Sequence, residues 1–214
     1  MNFSDLTIDL SWDKKTIEMH QNFYKEIWED KEYFRHGLRI KKGDIVVDCG
    51  ANIGIFTLLA LEHEAKKIYS FEYDKNFYDL LVKNCKKSKK IITTNGLITH
   101  KNINLVGFDK SVETYDLSKI IQKFNLKSID FLKLDVEGFE FSFVLNEPDD
   151  VIKKVNQWAI EIHTCGFVCD RLQEYKYTLA IVDKFARLGY YCVLEKLHID
   201  TFCYMIYASQ IKNK

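Results

Sequence analysis

Two glycines and an acid near the start of the chain carry the first chemical signal. The segment "IVVDCGANIGIF", residues 45–56, runs an apolar stretch into a loop that contains Asp48, Gly50, Asn52 and Gly54. Glycines let the backbone approach a ligand closely, and a helix that follows such a loop offers unpaired N–H groups at its start. The spacing is G-x-x-x-G and not the G-x-G-x-x-G that receives a pyrophosphate, and Asp48 would repel a phosphate but attract a cation.

A second acid, Glu72, ends the next apolar stretch, 24 residues after Asp48. At that position a carboxylate can accept hydrogen bonds from both hydroxyls of a ribose. A ribose together with a cationic group, and no phosphate, describes S-adenosylmethionine. The sequence therefore predicts a site for this cofactor; the alternative is a helix-capping acid and a surface acid with no ligand.

Asn95 ends a third apolar stretch, "IITTN". We expect its side chain to meet the edge of the adenine, while an asparagine that only forms a turn is about as consistent with the pattern.

Four further candidates lie in "FLKLDVEGFE" and "WAIEIH", two segments in the second half of the chain: Asp135, Glu137, Glu161 and His163. His163 titrates near neutral pH and is our first choice for a general base, with Glu161 and Glu137 as second choices. A structural, core-bound histidine is the alternative.

Asp135 and Glu137 admit two roles. They are either ligands of a divalent cation or hydrogen-bond acceptors that position a substrate, and we favour positioning. Asp135 also counts among the expected cofactor contacts. Glu140 is interpreted as a partner of a helix dipole, and Lys133 as a strand residue that pairs with one of these acids or extends its amine toward solvent.

The elements that must position these side chains follow from hydrophobic patterning. Apolar strands alternate with helical segments from residue 44 onward, which is typical of a mostly parallel sheet with helices on both faces. Strands are predicted at 45–48, 67–72, 91–95, 131–135 and 158–163. Helices are predicted at about 53–63, 74–86, 116–124, 139–145 and 170–188.

The two ends of the chain differ from this middle part. "YYCVLE" and "TFCYMIYAS" follow the last helix with a short link, so the final strand should pair antiparallel. The expected fold is therefore a doubly wound, Rossmann-like α/β sheet of seven strands. Residues 1–42 are predicted to form a helical extension that packs as a cap on a domain of residues 43–214; a substrate lid or a dimer surface is a less favoured alternative.

The motifs "VVDCGANIGIFTLLAL", "IYSFEYDKNFYDLLVKN" and "SIDFLKLDVEGFEFSFVL" resemble the FkbM family of S-adenosylmethionine-dependent methyltransferases, over approximately residues 43–208. Cys49 stands where an aliphatic residue is more usual in that family. The resemblance implies O-methylation of a hydroxyl, commonly on a sugar, a glycan or a polyketide-type natural product, and we expect a sugar or glycan. Methylation of a small natural product or lipid-linked intermediate is the alternative, and a non-catalytic cofactor-binding scaffold is a third hypothesis.

The amino-acid composition limits the kinds of partner that the protein is expected to bind. Lysine and arginine together number 31, as do aspartate and glutamate, so no net charge attracts nucleic acid or an anionic membrane. The longest apolar runs are too short for a membrane span, and we read six cysteines without a framework as free thiols of a cytoplasmic protein. Cys165 and Cys169, near His163, are interpreted as packing residues and not as zinc ligands.

Overall fold

Seven strands form the main sheet within the part of the chain that the computed structural model describes, residues 1–9, 11–100, 109, 111–163, 170–196 and 203–211. Their bounds are β1 Ile45–Cys49, β2 Lys67–Glu72, β3 Ile91–Asn95, β6 Phe131–Leu134, β7 Gln157–His163, β8 Tyr190–Lys196 and β9 Cys203–Gln210. Across the sheet they lie in the order β3-β2-β1-β6-β7-β9-β8.

β1 lies at the centre of the sheet and pairs in parallel with β2 on one side and β6 on the other. After β1 the chain adds β2 and β3 on one side of it, and later β6 and β7 on the other side. In such sheets ligands bind in the crevice beyond the carboxyl ends of the two central strands, here β1 and β6. β9 pairs antiparallel with both β7 and β8. The doubly wound sheet with an antiparallel last strand is confirmed.

Seven α-helices accompany the strands of the described residues. Their bounds are α1 Lys14–Tyr24, α2 Ile55–Glu62, α3 Lys75–Cys85, α4 Leu117–Phe124, α5 Glu140–Leu145, α6 Asp149–Ile152 and α7 Arg171–Arg187. Aspartates cap several of them: Asp74, for example, accepts hydrogen bonds from the N–H groups of Asn76 and Phe77 at the start of α3.

The core has a layer on each face of the sheet because successive strand residues point to opposite sides. Val47 and Leu132 belong to the layer that includes residues of α4, α5 and α7, whereas Val46 and Phe131 belong to the layer under α2. All four are fully buried. Burial of each such side chain stabilises the fold by roughly 1.5–3 kcal/mol.

The structure differs from the predicted elements in a few places. α2 begins at Ile55 and not near 53, because Gly54 precedes it in a left-handed conformation with φ of +98°. The two-residue strands β4 Leu97–Ile98 and β5 Thr114–Tyr115 pair with each other, and no pattern in so short a stretch predicts them.

The N-terminal segment contains helices and packs against α2 and α3. α1 continues into a π-helix at Lys25–Glu29 and then a 3-10 turn at Glu32–Phe34. His20, which is fully buried, lies 3.2 Å from the side-chain oxygen of Asn52 in the loop after β1. The segment thus contacts the loop that was predicted to bind a ligand.

In the described ranges, no helix has both the length and the apolar character needed to cross a membrane.

Candidate active site

A cavity of about 390 Å³ opens at the carboxyl ends of β1, β2, β6 and β7. Its volume lies within the range of small-molecule sites. The loops after these strands form one side of it, and the N-terminal segment, through residues such as Ile27 and Tyr33, forms another. The N-terminal segment is therefore part of the cavity wall.

The loop after β1 packs directly against the end of β6. Gly50 has φ of +82°, and a Cβ placed there would lie 1.7 Å from the carbonyl oxygen of Asp135. The N–H groups of Gly50 and Ala51 both donate to the carbonyl oxygen of Phe71. Gly50 is thus required for close contact between protein segments, a reason different from the ligand approach expected from the sequence.

Asp48 lies beneath this loop, is fully buried, and is not among the described residues that line the cavity. Its Oδ2 accepts a 2.6 Å hydrogen bond from the hydroxyl of Thr57, and its Oδ1 lies 3.6 Å from Nζ of Lys133. Burial raises the pKa of Asp48, although Lys133 and Thr57 counteract this. The cation that Asp48 faces is therefore a side chain of the protein.

Lys133 connects the loop to the acids of β6. Its Nζ donates to the carbonyl oxygen of Gly50 at 2.8 Å and to Oδ2 of Asp135 at 3.0 Å, and its side chain is only 2% exposed. Burial acts to lower the pKa of Lys133, but the charges of Asp135 and Asp48 outweigh it and raise the pKa. Lys133 thus remains an ammonium.

Glu72 forms the polar corner on the β2 side of the cavity. Its Oε2 accepts from the N–H of Asn52 and its Oε1 from the N–H of Asp74, at 2.8 and 2.7 Å. Burial raises the pKa of Glu72 to about 7. Each carboxylate oxygen retains a lone pair for a further donor, as a ribose diol requires.

Asn95 serves the neighbouring turn. Its amide donates to the carbonyl oxygens of Glu72 and Tyr73, and it is not among the described lining residues. The turn-forming alternative fits this position better than contact with adenine. Leu97 and Ile98 line the cavity instead, as do Tyr73 and Phe77. These apolar surfaces suit an aromatic base.

The acids on the other side of the cavity are joined by Tyr33. Its hydroxyl lies 2.9 Å from Oε2 of Glu161 and 3.3 Å from Oδ2 of Asp135. Burial, followed by the charges of Asp135 and Glu161, raises the pKa of Tyr33 well above its ordinary value, so it stays protonated. No sequence signal singled out this tyrosine, because its partners lie more than a hundred residues away along the chain.

His163 lies at the end of β7 with its ring held from behind. Nδ1 is 3.0 Å from Oε1 of Glu140, whose fully buried carboxylate also accepts from the N–H groups of Val136 and Gly138. Glu161 and His163 both line the cavity, as strand alternation predicts, while Ile160 lies in the core.

The protonation states change the expected roles. Burial would lower the pKa of His163, but the hydrogen bond that its ring donates to Glu140 and the charges of Glu140 and Asp135 raise it to about 11. A histidine that is cationic at neutral pH does not accept a proton, which argues against His163 as the base in this state. Burial and the charge of Asp135 raise the pKa of Glu161 to about 8, close to the range for acid–base work.

Seven of the residues expected at the site line the cavity: Gly50, Asn52, Glu72, Asp135, Glu137, Glu161 and His163. Asp48, Gly54 and Asn95 lie behind its wall; a Cβ on Gly54, for instance, would meet the side chain of Leu81 at 2.9 Å. Glu140 does more than complement a helix dipole, since it orients His163. Cys165 and Cys169 fall outside the described residues.

The cavity fits S-adenosylmethionine in three respects: an acidic corner at Glu72 with free lone pairs, an apolar slot beside it, and a cluster of carboxylates farther along. Glu72 would hold the ribose, and the slot around Phe77 would hold the adenine.

Comparison with known proteins agrees with this geometry. The model of the methyltransferase FkbM domain family matches residues 90–192. A segment of 53 residues is 49% identical to 31-O-demethyl-FK506 methyltransferase FkbM from Streptomyces tacrolimicus. That match covers 24% of this chain and 20% of the relative, so the aligned part spans about a fifth of the relative's length.

Two solved structures share the fold. Methyltransferase FkbM from Methylobacillus flagellatus KT superposes with a TM-score of 0.60 at 20% identity, over 96% of this chain and 56% of that one. Fibrillarin from Aeropyrum pernix, solved with S-adenosylmethionine bound, gives a TM-score of 0.55 at 15% identity, over 87% of this chain and 76% of that one. Residues 90–192 thus resemble the methyltransferase FkbM domain, and the sheet order is that of the Rossmann-like fold shared with these two structures.

Proposed function

We propose that this protein is an S-adenosylmethionine-dependent O-methyltransferase that acts on a hydroxyl of a sugar or glycan. The observation that carries the proposal is a single cavity with the Glu72 corner at one end and the cluster of Tyr33, Asp135, Glu161 and His163 at the other. The name of the Streptomyces tacrolimicus relative refers to a 31-O-demethyl acceptor, which supports transfer to oxygen. A small natural product or lipid-linked intermediate is the alternative acceptor.

S-adenosylmethionine supplies an electrophilic methyl group on a sulfonium. In-line transfer requires the acceptor oxygen at about 3 Å from the methyl carbon, so the work of the protein is mainly orientation and removal of a proton. The C–O bond forms as the C–S bond breaks, with its electron pair left on sulfur, and the hydroxyl proton passes to Glu161.

Glu161 suits this role because Tyr33 fixes Oε2 and leaves Oε1 directed toward the cavity cluster. With its pKa near 8, Glu161 is fully ionised only above that pH. The rate should therefore rise with pH, reach half of its maximum at about pH 8, and level off at higher pH. His163, as a cation next to the acids, would stabilise negative charge that develops on the acceptor oxygen.

We also propose an acceptor without phosphates. Among the described residues that line the cavity, Lys133 and His163 are the basic side chains, and both already face carboxylates. On the acceptor side Glu26, Glu32 and Glu137 add further acids. A nucleic-acid backbone would meet repulsion there.

Calorimetry with S-adenosylmethionine tests the cofactor site. We expect Glu72→Gln to weaken binding about tenfold or more, since one ribose acceptor is lost, and Glu18→Gln on exposed α1 to leave it unchanged. No binding by the wild type would refute the proposal.

Methyl transfer to a panel of sugars, glycans and small natural products tests the activity and the acceptor. Glu161→Gln should reduce kcat while it leaves cofactor affinity intact. A protein that binds the cofactor yet methylates none of the panel would instead be the non-catalytic scaffold.

A further inference from the structure

The ring of His163 is fixed in a way that orients one nitrogen toward the cavity. Nδ1 is bound to Glu140, and Glu140 is itself held by the two backbone N–H groups of Val136 and Gly138. His163 is 9% exposed. Its Nε2 has no hydrogen bond among the residues that the structure describes, although it faces three carboxylates.

The distances from Nε2 to those carboxylates are uniform and too long for hydrogen bonds. They are 3.7 Å to Oε2 of Glu137, 3.7 Å to Oε1 of Glu161 and 3.9 Å to Oδ1 of Asp135. The opposite oxygens, Oδ2 of Asp135 and Oε2 of Glu161, are the ones that Tyr33 binds. Oδ1 of Asp135 and Oε1 of Glu161 are thus left on the side of Nε2, and Oε2 of Glu137 approaches Nε2 to the same distance.

Such spacing matches a shared divalent cation. Two ligand atoms at about 2.0–2.2 Å from a metal ion are separated by roughly 3 Å when they subtend a right angle, and by nearly 4 Å at a wider angle. The ligand atoms of Asp135, Glu137 and His163 all lie within 4.8 Å of one another. A carboxylate that hydrogen-bonds the far nitrogen of a metal-ligating histidine, as Glu140 does here, is the usual second partner of such a ligand.

We propose that Nε2 of His163, together with Asp135 and Glu137, binds a divalent transition-metal cation such as Mn²⁺. The metal ion would displace the proton that Nε2 carries when the site is empty, and would take over from the imidazolium the stabilisation of negative charge on the acceptor oxygen. One imidazole with carboxylates favours such ions over Ca²⁺, which takes oxygen ligands alone. Glu161 lies at the edge of the site as a fourth ligand or as the base. The site faces the cavity, so an open coordination position would hold the acceptor hydroxyl and lower its pKa, a role that rests on the proposed function.

Titration of the protein with Mn²⁺, followed by electron paramagnetic resonance without cofactor or acceptor, tests the site directly. We expect one tight site in the wild type and at least a tenfold loss of affinity in His163→Gln. Glu137→Gln should show a similar loss, and since this side chain is 82% exposed the substitution leaves the fold intact. Glu140→Gln should weaken binding about 10- to 100-fold without removing a ligand atom.

The control is Glu18→Gln, an exposed acid on α1 that should bind Mn²⁺ as the wild type does. Wild-type protein that binds no Mn²⁺ at millimolar concentration, or Glu137→Gln and His163→Gln variants that bind it normally, would overturn the proposal. S-adenosylmethionine binding is measured separately on the same samples, so loss of the metal site and failure of the cofactor site are distinguished.

Discussion

Replacement of Lys133 with methionine removes the cation buried beneath the β1 loop. Its ammonium contacts Asp135 at 3.0 Å and Asp48 at 3.6 Å, and the lysine side chain is 2% exposed while that of Asp48 is 0% exposed. Methionine fills a similar volume, so the main effect is electrostatic. Loss of one partner from a buried ion pair typically costs about 3–5 kcal/mol, because the remaining charge stays buried and uncompensated.

Thermal unfolding followed by circular dichroism measures this cost. For a chain of this size about 2–4 °C is lost per kcal/mol, so the expected fall in Tm of Lys133→Met is about 6–20 °C. The fall should be larger at pH 8 than at pH 5. In the variant, burial keeps the pKa of Asp48 above its value in the unfolded chain. The unfolded chain therefore releases this proton at a lower pH than the folded protein does, so the folded protein becomes less stable as pH rises toward the folded pKa.

The double variant Asp48→Asn with Lys133→Met separates charge from packing. It removes both members of one ion pair, so it should be more stable than Lys133→Met alone although it carries one more substitution. The reasoning is refuted by a Lys133→Met protein that loses less than about 1 kcal/mol, or by a double variant that is less stable than the single one.

Three other substitutions have defined outcomes. In urea unfolding, Gly50→Ala should lower the free energy of unfolding by more than about 2 kcal/mol, because its Cβ meets the Asp135 carbonyl. Gly37 has φ of +85° and open space around it, so Gly37→Ala should lower that free energy by only about 1 kcal/mol, through conformational strain. Equal losses in the two variants would contradict this explanation. The carboxyl of Glu161 binds its proton more tightly in the folded protein than in the unfolded one, so the free energy of unfolding should fall as pH rises between about 4.5 and 8. Glu161→Gln should make this fall smaller. An unchanged pH profile would show that the pKa of Glu161 is not raised. Tyr33→Phe removes a hydrogen bond that lowers the pKa of Glu161, so the rise of activity with pH should move to higher pH, and a rise that stays at the wild-type pH would rule out this coupling.

The sheet was predictable because a parallel strand that is covered on both faces reads as an apolar run, as "IVVDC" does. The positions of Glu72, Asp135 and His163 followed from it, since the ends of neighbouring parallel strands meet at one edge. Side-chain alternation also predicted correctly that Glu161 shares the cavity with His163.

The partners of these acids were harder to predict. Lys133 looks like an ordinary strand residue, and only its register opposite Asp48 in β1 shows that it neutralises a buried charge. Tyr33 comes from a segment with no strand pattern, and Glu140 resembles any acid in a first helical turn. Such contacts depend on tertiary packing, which periodicity along the chain does not report.

The contribution of the N-terminal segment to the cavity matters for engineering, because one continuous stretch of chain reaches both ends of the site. Ile27 and Tyr33 form one wall of the cavity, and His20 contacts Asn52, whose N–H group donates to Glu72 in the corner. A chimaera that exchanges only the first 40 or so residues with those of a relative would therefore change the surroundings of the carboxylate cluster and of the Glu72 corner together. An exchange made to alter the acceptor should accordingly be followed by a measurement of cofactor affinity.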